Sequence, residues 1–279
     1  MVHRPRQDGG GVQGDPREVR DLAHLMNRLT SISTVVTGAG TGIGEAIARR
    51  YALEGAHVAV TDIDRASAEA VCSDIVAQGG SAMAVEMDVA DRDAVRAGLA
   101  AVRDRFGRID VMVNNAGISL STELFTTTAE QWMRLQRVNG LGTLICMQEA
   151  ARHMIDQGDG GKIINLTSIS GKRNNADWVA YAASKATVSS LIAGGARALA
   201  PHGITVSGIA PGIVETPLWE GIYQDDAART ARFDQYAAVI PLGRVSVADD
   251  LTGAAVFLAT SDSDYLTGQI VTVDGGITA

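Results

Sequence analysis

The sequence predicts an α/β fold, a single doubly wound domain in which helices cover both faces of a seven-stranded parallel sheet. Three observations lead to this prediction. Short apolar strands alternate with helical segments along most of the chain. The strands are rich in Val and Ile and show no polar alternation, which is typical of strands that are covered on both faces. The length of 279 residues suits one large domain.

In the first half of the chain, apolar strands and amphipathic helices alternate strictly. Helix 42–53 carries Ile43, Ile47 and Tyr51 on one side. The next helix stops at Gly79-Gly80 and the third at Gly107, and glycine is a frequent C-terminal stop. The predicted order is strand 34–37, helix 42–53, strand 57–61, helix 66–78, strand 82–87, helix 91–106 and strand 109–113.

The second half continues the alternation, with two interruptions. The predicted order is helix 129–155, strand 162–166, helix 178–199, strand 204–209, helix 247–259 and strand 269–273. Pro201 and Gly203 close the helix before the sixth strand. The interruptions, 168–177 and 213–244, follow the carboxyl ends of strands, where open α/β sheets place their ligands.

Composition narrows the class of protein. A formal net charge of −8 argues against unassisted binding to nucleic acid or to an anionic membrane. No apolar run is long enough for a membrane-spanning helix, and no secretory signal pattern opens the chain. Cys72 and Cys146 form neither a disulfide framework nor a metal-ligand pattern, so we expect no metal site and a cytoplasmic location.

Residues 1–28 differ from the rest of the chain. They are rich in charge and glycine up to residue 15, and Leu22, Leu25 and Met26 then fall at roughly helical spacing. We expect a flexible or loosely docked tail. A functional arm and a natural start at Met26 are the alternatives. The folded domain is expected to span residues 29–279.

A glycine-rich turn joins the first strand to the first helix. A diphosphate can approach the backbone at a helix N-terminus, where unpaired N–H groups and the helix dipole favour an anion, and only glycine leaves room for it. A tight structural turn is the alternative, but the strand–turn–helix context favours dinucleotide binding in a Rossmann fold. The expected contacts are Gly38, Thr41, Gly42, Ile43 and Gly44.

Asp62 ends the second strand, 18 residues after Gly44. A carboxylate at this place can accept both ribose hydroxyls of an adenosine and repels a 2′-phosphate. No Lys or Arg lies in the glycine turn, although Arg65 is close along the chain. We therefore expect NAD as the cofactor, with NADP less favoured.

Six motifs appear in order, each on the element where it is expected. They are Thr37-Gly38-(x)3-Gly42-x-Gly44, Asn114-Asn115-Ala116-Gly117, Asn139, Ser168, Tyr181-(x)3-Lys185 and Pro211-Gly212. With this set the chain resembles the short-chain dehydrogenase/reductase family from about residue 30 to residue 279. The resemblance implies an NAD(H)-dependent alcohol dehydrogenase or reductase that acts on CH–OH groups.

Tyr181 and Lys185 share one face of a helix because they are four residues apart. An ammonium group near a phenol favours the phenolate and lowers its pKa, so Tyr181 could exchange a proton with a substrate hydroxyl. An exposed helix pair is the alternative interpretation. Ser168, 13 residues earlier, could orient the substrate oxygen. The resemblance implies that Asn139 helps hold a water that leads to Lys185, and that Lys185 also binds the nicotinamide ribose.

The resemblance also implies further cofactor contacts. Asp88 and Val89 match a pair that contacts adenine, although Asp88 could instead cap a helix. Asn114 is the expected contact in its turn, and the turn could equally be structural. Ser207 departs from the usual asparagine at a position thought to be structural. The remaining implied contacts are Asn115, Ala116, Gly117, Tyr181, Lys185, Pro211, Gly212, Ile213 and Thr216.

The segment between Ser168 and Tyr181 is polar, which favours a hydroxyl-rich substrate over a steroid or a long acyl chain. The C-terminal half also resembles sorbitol-type polyol dehydrogenases of the family, for example at 161–165, 211–214, 219–221 and 250–253. We therefore expect a polyol or sugar-like substrate, although these matches could belong to the scaffold alone. Candidate pocket residues are Ser170, Asn175, Trp178 and Trp219.

Residues 213–240 are expected to form a lid with few apolar anchors that closes on binding. The helices around 135–154 and 179–199 are apolar on more than one face, and the family pairs such helices between subunits. We expect a homotetramer, with a dimer as the second choice. The rival functions are a reductase of 3-oxoacyl thioesters or of a cyclic ketone and, from another class, a catalytically silent NAD-sensing binding protein.

Overall fold

The structure is a computed structural model that describes residues 27–173, 176–220, 222–223 and 225–279. The tail predicted for residues 1–28 lies outside the described residues as far as residue 26, and it stays a prediction. From Leu29 onward the chain is packed: the Leu29 side chain is fully buried and its N–H donates to the Glu54 carbonyl at 2.8 Å.

Seven parallel strands form one sheet, as the sequence predicts. Its spatial order is β3-β2-β1-β4-β5-β6-β9. The direction of winding reverses between β1 and β4, which is the place where doubly wound sheets bind ligands. The strands are β1 (Ser33–Thr37), β2 (His57–Asp62), β3 (Ser81–Glu86), β4 (Val111–Asn114), β5 (Gly161–Leu166), β6 (Ile204–Pro211) and β9 (Ile270–Val273), and a separate short pair joins β7 (Val214–Glu215) to β8 (Ser246–Val247).

Helices cover both faces of the sheet and bury one apolar cluster on each side. One cluster packs beneath α1, α2 and α8, where the Tyr51 hydroxyl donates to the Ala255 carbonyl at 2.8 Å. The other packs beneath α3, α5 and α6 and includes Leu99, Met154 and Ile192. The helices are α1 (Gly42–Leu53), α2 (Arg65–Ala77), α3 (Arg92–Phe106), α4 (Ala129–Leu135), α5 (Thr143–Gln157), α6 (Val179–Leu199), α7 (Asp226–Ala237) and α8 (Thr252–Ala259).

Two helix predictions were wrong in detail. The stretch 129–155 is helical throughout, as predicted, but a π-helical segment at Gln136–Gly142 lies between α4 and α5. The stretch 247–259 begins with a 3-10 turn at Ala248–Leu251, and α8 itself starts at Thr252. Val247, the residue before this 3-10 turn, is extended and not helical because it pairs with Glu215 in the short β7–β8 ladder.

No helix in the part of the chain that the structure describes has both the length and the apolar character needed to cross a membrane.

Candidate active site

A cavity of about 980 Å³ lies at the carboxyl ends of the central strands. It brings together residues that are far apart in the sequence, from the glycine turn after β1 to the segment after β6. Gly44 and Asn139 are the predicted site residues that its wall does not include. The predicted residues that do line it are Gly38, Thr41, Gly42, Ile43, Asp62, Asp88, Val89, Asn115, Ala116, Gly117, Ser168, Tyr181, Lys185, Pro211, Gly212, Ile213 and Thr216.

The glycine turn has a conformation and a packing that require glycine. Gly38 and Gly42 have φ angles of +60° and +62°, which side-chain-bearing residues rarely adopt. A Cβ atom on Gly44 would lie 2.2 Å from the Gly38 carbonyl oxygen, so this residue lets the start of α1 close onto the turn. Thr216 lies directly beside Gly42, because its Cβ would be 3.5 Å from a Cβ at that position.

The Asp62 carboxylate is held at the end of β2 by two backbone donors. The N–H of Gly40 donates to it at 3.0 Å, and so does the N–H of Asp64. Gly40 was missed in the sequence analysis, although a Cβ there would lie 2.7 Å from the Ser67 Cβ. The Asp62 carboxylate is therefore held in a fixed orientation against the glycine turn that precedes α1, in the wall of the cavity.

The two asparagines after β4 have different roles, and the expectation for Asn114 was wrong. Asn114 is buried and its side chain donates to Asn165 at 2.8 Å, away from the cavity. Asn115 instead lines the cavity and donates to the carbonyls of Thr37 and Gly38 at 2.9 and 3.0 Å. Side chains of neighbouring residues in an extended chain point to opposite faces, which explains why Asn115 lines the cavity and Asn114 does not.

The structure shows which contacts Asp88 and Ser207 make. Asp88 does not cap α3, because the cap is Asp91, whose carboxylate accepts from the N–H groups of Asp93 and Ala94. Asp88 instead lines the cavity and accepts from the N–H of Ala90 at 2.8 Å. Ser207 is buried and donates to the Leu266 carbonyl at 3.2 Å, which is a structural contact.

Ser168, Tyr181 and Lys185 meet in the cavity at the end of β5. Tyr181 and Lys185 lie on the first turns of α6, with the ammonium nitrogen 5.9 Å from the centre of the phenol ring. The Lys185 Nζ donates to the Leu166 carbonyl at 2.9 Å, a backbone partner that sequence reasoning missed. Tyr181 and Ser168 are hydrogen-bonded to each other. The pair is therefore part of the cavity wall and not an exposed helix pair.

The electrostatics of this group differ from the sequence-based expectation. Burial raises the pKa of Tyr181 to about 12, and the hydrogen bond with Ser168 only partly offsets that effect. Burial also lowers the pKa of Lys185 to about 8. Desolvation of both groups thus outweighs the charge effect that was expected to lower the pKa of the phenol.

Asn139 lies in the π-helical turn and its side chain is fully engaged. Its Nδ2 donates to the Ile118 carbonyl and to the Ser184 hydroxyl, both at 2.9 Å, and its Oδ1 accepts from the Ile118 N–H at 2.9 Å. Gly117 passes close by: a Cβ there would lie 3.1 Å from Asn139 Oδ1 and 3.5 Å from Lys185 Nζ. Asn139 therefore fixes the loop after β4 beside the lysine.

Aromatic side chains cluster beside Tyr181 in the cavity wall. Trp178 makes edge contacts with Tyr181 and Trp219 at centroid distances of 6.0 Å. Trp219 also contacts Tyr223, Phe233 and Tyr236 at 5.5–6.1 Å. We call these six residues the aromatic cluster. The expectation that 213–240 has few apolar anchors was wrong, because this cluster packs α7 and its approach against the cavity.

Three of the four candidate pocket residues are found in the cavity wall. Ser170, Trp178 and Trp219 line the cavity, whereas Asn175 lies outside the described residues. Sequence reasoning missed Arg173, which lines the cavity and donates to the Ile277 carbonyl at 2.9 Å. It also missed Ile277 and Thr278, which form part of the wall. No local signal marks these last residues, because their contacts join segments about a hundred positions apart.

Comparisons with known proteins agree with this geometry. A family model described as enoyl-(acyl carrier protein) reductase matches residues 38–278. Sorbitol dehydrogenase of Cereibacter sphaeroides is 41% identical over 254 residues, which cover 89% of this chain and 98% of that protein. Galactitol 2-dehydrogenase of Agrobacterium fabrum (strain C58 / ATCC 33970) is 40% identical, with the same coverage of both chains.

Solved structures share the fold over nearly the whole chain. A short-chain type dehydrogenase/reductase from Mycobacterium marinum superposes with a TM-score of 0.85 at 36% identity, covering 91% of this chain and 98% of the other. A gluconate 5-dehydrogenase from Burkholderia cenocepacia J2315, solved in complex with NADP and tartrate, also has a TM-score of 0.85, at 37% identity and with coverage of 92% and 98%.

Proposed function

Because the chain belongs to the short-chain dehydrogenase/reductase family, whose members are oxidoreductases acting on alcohol and ketone groups with a nicotinamide cofactor, we propose that it transfers hydride between NAD and a polyol or sugar-like secondary alcohol. The observation that carries this proposal is the convergence of Ser168, Tyr181 and Lys185 at one end of a cavity whose other end holds Asp62.

The cavity fits a dinucleotide. Gly38, Gly42 and Gly44 keep side chains out of the turn where a diphosphate would meet the N-terminus of α1. Asp62, Asp88 and Val89 line the cavity, where Asp62 would accept the ribose hydroxyls of the adenosine half and Asp88 and Val89 would border the adenine. Lys185, with Pro211 to Ile213 and Thr216, would hold the nicotinamide half.

In the proposed reaction Tyr181 is the acid/base. The bound nicotinamide supplies the acceptor for the hydride that leaves the carbinol carbon. The Tyr181 phenolate takes the proton of the substrate hydroxyl as the carbonyl forms, and the Ser168 hydroxyl donates to the same oxygen and orients it. The Lys185 ammonium stabilises the phenolate, which burial alone disfavours. In the reductive direction the same groups return the proton.

The preference for NAD is supported by charge. Asp62 lines the cavity at the end of β2, and in the proposed binding mode its carboxylate would repel the 2′-phosphate of NADP and favour the unphosphorylated cofactor. A solved relative carries NADP, so both cofactors belong in the assay. Affinity for NADPH equal to that for NADH would contradict this part of the proposal.

The polyol class is supported by the two dehydrogenases that resemble this chain over 89% of its length. Trp178 and Trp219 can stack on the C–H face of a sugar or polyol, while Ser170 and Arg173 offer donors to its hydroxyls. The second candidate is reduction of a 3-oxoacyl thioester, which the aromatic cluster and the acyl-carrier description of the family favour. A silent NAD-binding protein is the third, and the complete set of reactive side chains argues against it.

The decisive experiment follows NADH formation across polyols, other secondary alcohols and hydroxysteroids, with NAD and NADP in parallel. Turnover of sorbitol or galactitol with NAD supports every part of the proposal. Turnover of apolar alcohols only would retain the reaction and reject the substrate class. Tyr181→Phe should abolish turnover while NADH still binds, and an active Tyr181→Phe variant would overturn the mechanism.

Assembly and motion are proposed on separate grounds. Trp132, Met133 and Leu141 expose large apolar surfaces on α4 and the π-helical turn, with Met133 64% exposed, which supports a homotetramer or, failing that, a dimer. Light scattering would give the subunit number.

Residues 213–240 are proposed to close over the bound substrate. The two unpaired cysteines favour a reducing compartment such as the cytoplasm.

A further inference from the structure

Ser184 is a fully buried serine on α6 that the reaction described above does not use. Its hydroxyl donates to the Tyr181 carbonyl at 2.7 Å and accepts from Asn139 Nδ2 at 2.9 Å. The Ser184 hydroxyl therefore links the backbone of Tyr181 to the side chain of Asn139. It lies between two site residues without reaching the cavity.

The contact completes the hydrogen bonding of Asn139. One Nδ2 hydrogen reaches the Ile118 carbonyl and the other reaches Ser184, while Oδ1 accepts from the Ile118 N–H. A buried carboxamide that loses one partner carries a desolvation penalty, so its side chain would turn or the turn around it would shift. One chain of hydrogen bonds thus connects the loop after β4, the π-helical turn and the first turns of α6.

Asn139 and Lys185 flank the same residue of the loop after β4. A Cβ on Gly117 would lie 3.1 Å from Asn139 Oδ1 and 3.5 Å from Lys185 Nζ, so a shift of Asn139 would move the loop that packs beside the ammonium. The next residue of the loop, Ile118, is hydrogen-bonded to Asn139 through both its N–H and its carbonyl. The position of the lysine relative to the phenol therefore depends on this clamp.

We propose that Ser184 is a positioning residue: its hydroxyl holds the Asn139 carboxamide against α6 and thereby sets the alignment of Tyr181 and Lys185 in the cavity. This inference rests on the proposed acid/base function of Tyr181. A serine that bonds only to the carbonyl three residues earlier in a helix would be a local structural feature. The bond from Asn139, which is 45 residues away, distinguishes Ser184 from that case.

The test is Ser184→Ala in the full chain, assayed with NAD and whichever of sorbitol or galactitol gives turnover. We expect kcat to fall by about tenfold to a hundredfold, because small misplacements of reacting groups cost that much. The KM for the alcohol and the Kd for NADH should stay within about threefold of wild type. The apparent pKa for alcohol oxidation should rise, because the phenolate loses well-placed stabilisation.

Two further variants make the result specific. Ser184→Thr restores the hydroxyl and should recover most of kcat, and Ser73→Ala, the same change at an exposed site in α2, should match wild type. If Ser184→Ala does not fold, Ser184→Cys takes its place, with a weaker hydrogen bond and a smaller loss of kcat expected.

Three outcomes separate the hypotheses. A lower melting temperature with wild-type kcat and pH profile would show that Ser184 is only structural and would overturn the inference. A loss of kcat that Ser184→Thr does not recover would also count against it. An active Tyr181→Phe would instead remove the proposed function on which the inference rests.

Discussion

The buried Lys185 predicts a pH dependence of stability that can be measured without any substrate. Its side chain is 6% exposed, and burial lowers its pKa from the usual 10.5 to about 8. Between these two values the unfolded chain keeps the proton that the folded chain has lost. The unfolded state then binds more protons, so the free energy of unfolding increases with pH in this window.

The size of the effect follows from the two pKa values. For a single group that titrates at about 8 when folded and 10.5 when unfolded, the gain between about pH 7 and pH 10 is about 2–3 kcal/mol. Tyr181 acts in the opposite direction, because its folded pKa of about 12 lies above the unfolded value. That contribution becomes important only above about pH 10, which sets the upper end of the window.

The assay compares wild type with Lys185→Met by urea unfolding at one protein concentration without cofactor. Contributions from other groups, including the buried thiol of Cys146, are common to both chains and cancel in the difference. The free energy of unfolding of the wild type should rise by about 2–3 kcal/mol relative to that of the variant from about pH 7 to pH 10. Lys172→Met, at an exposed lysine, should behave as wild type does. A difference that stays constant with pH would refute the claim that the ammonium is desolvated.

Three other perturbations test the cofactor and substrate ends of the cavity. Asp62→Ala should reduce the preference for NADH over NADPH by about tenfold or more, since it removes the repelling carboxylate; an unchanged ratio of the two Kd values would place selectivity elsewhere. Gly44→Ala should abolish NADH binding and destabilise the fold by about 1–3 kcal/mol, because its Cβ would lie 2.2 Å from the Gly38 oxygen. Gly253 is a helical position with open space around it, so the Gly253→Ala variant should bind NADH normally. Trp178→Ala should raise the KM for the polyol and leave the Kd for NADH unchanged by fluorescence titration; normal kinetics would remove Trp178 from the substrate site.

Much of the fold could be predicted because its signals are local. Each strand is a short apolar run and most helices have a regular apolar face, so the number of sheet strands and their succession along the chain follow from the sequence alone. The glycine turn was predictable for the same reason, since the positive φ angles of Gly38 and Gly42 and the close approach of Gly44 to the Gly38 carbonyl all arise within the turn itself.

Other features depend on distant partners. The π-helical turn could not be predicted, because it is fixed by bonds from Asn139 to Ile118 and Ser184, which are 21 and 45 residues away. The pKa of Tyr181 was expected to fall because only the charge of Lys185 was considered. Burial by the assembled cavity wall reverses that direction. The aromatic cluster likewise forms only when the segment after β6 folds back over α6.

The aromatic cluster also makes the candidate active site optically visible. The chain has three tryptophans, and two of them, Trp178 and Trp219, lie in the cavity wall. The third, Trp132, lies half-exposed on α4. Reduced nicotinamide absorbs where tryptophan emits, so a cofactor bound in this cavity should quench the intrinsic fluorescence by energy transfer. The unlabelled protein thus carries its own reporter of occupancy, which allows binding to be followed even in variants that no longer turn over.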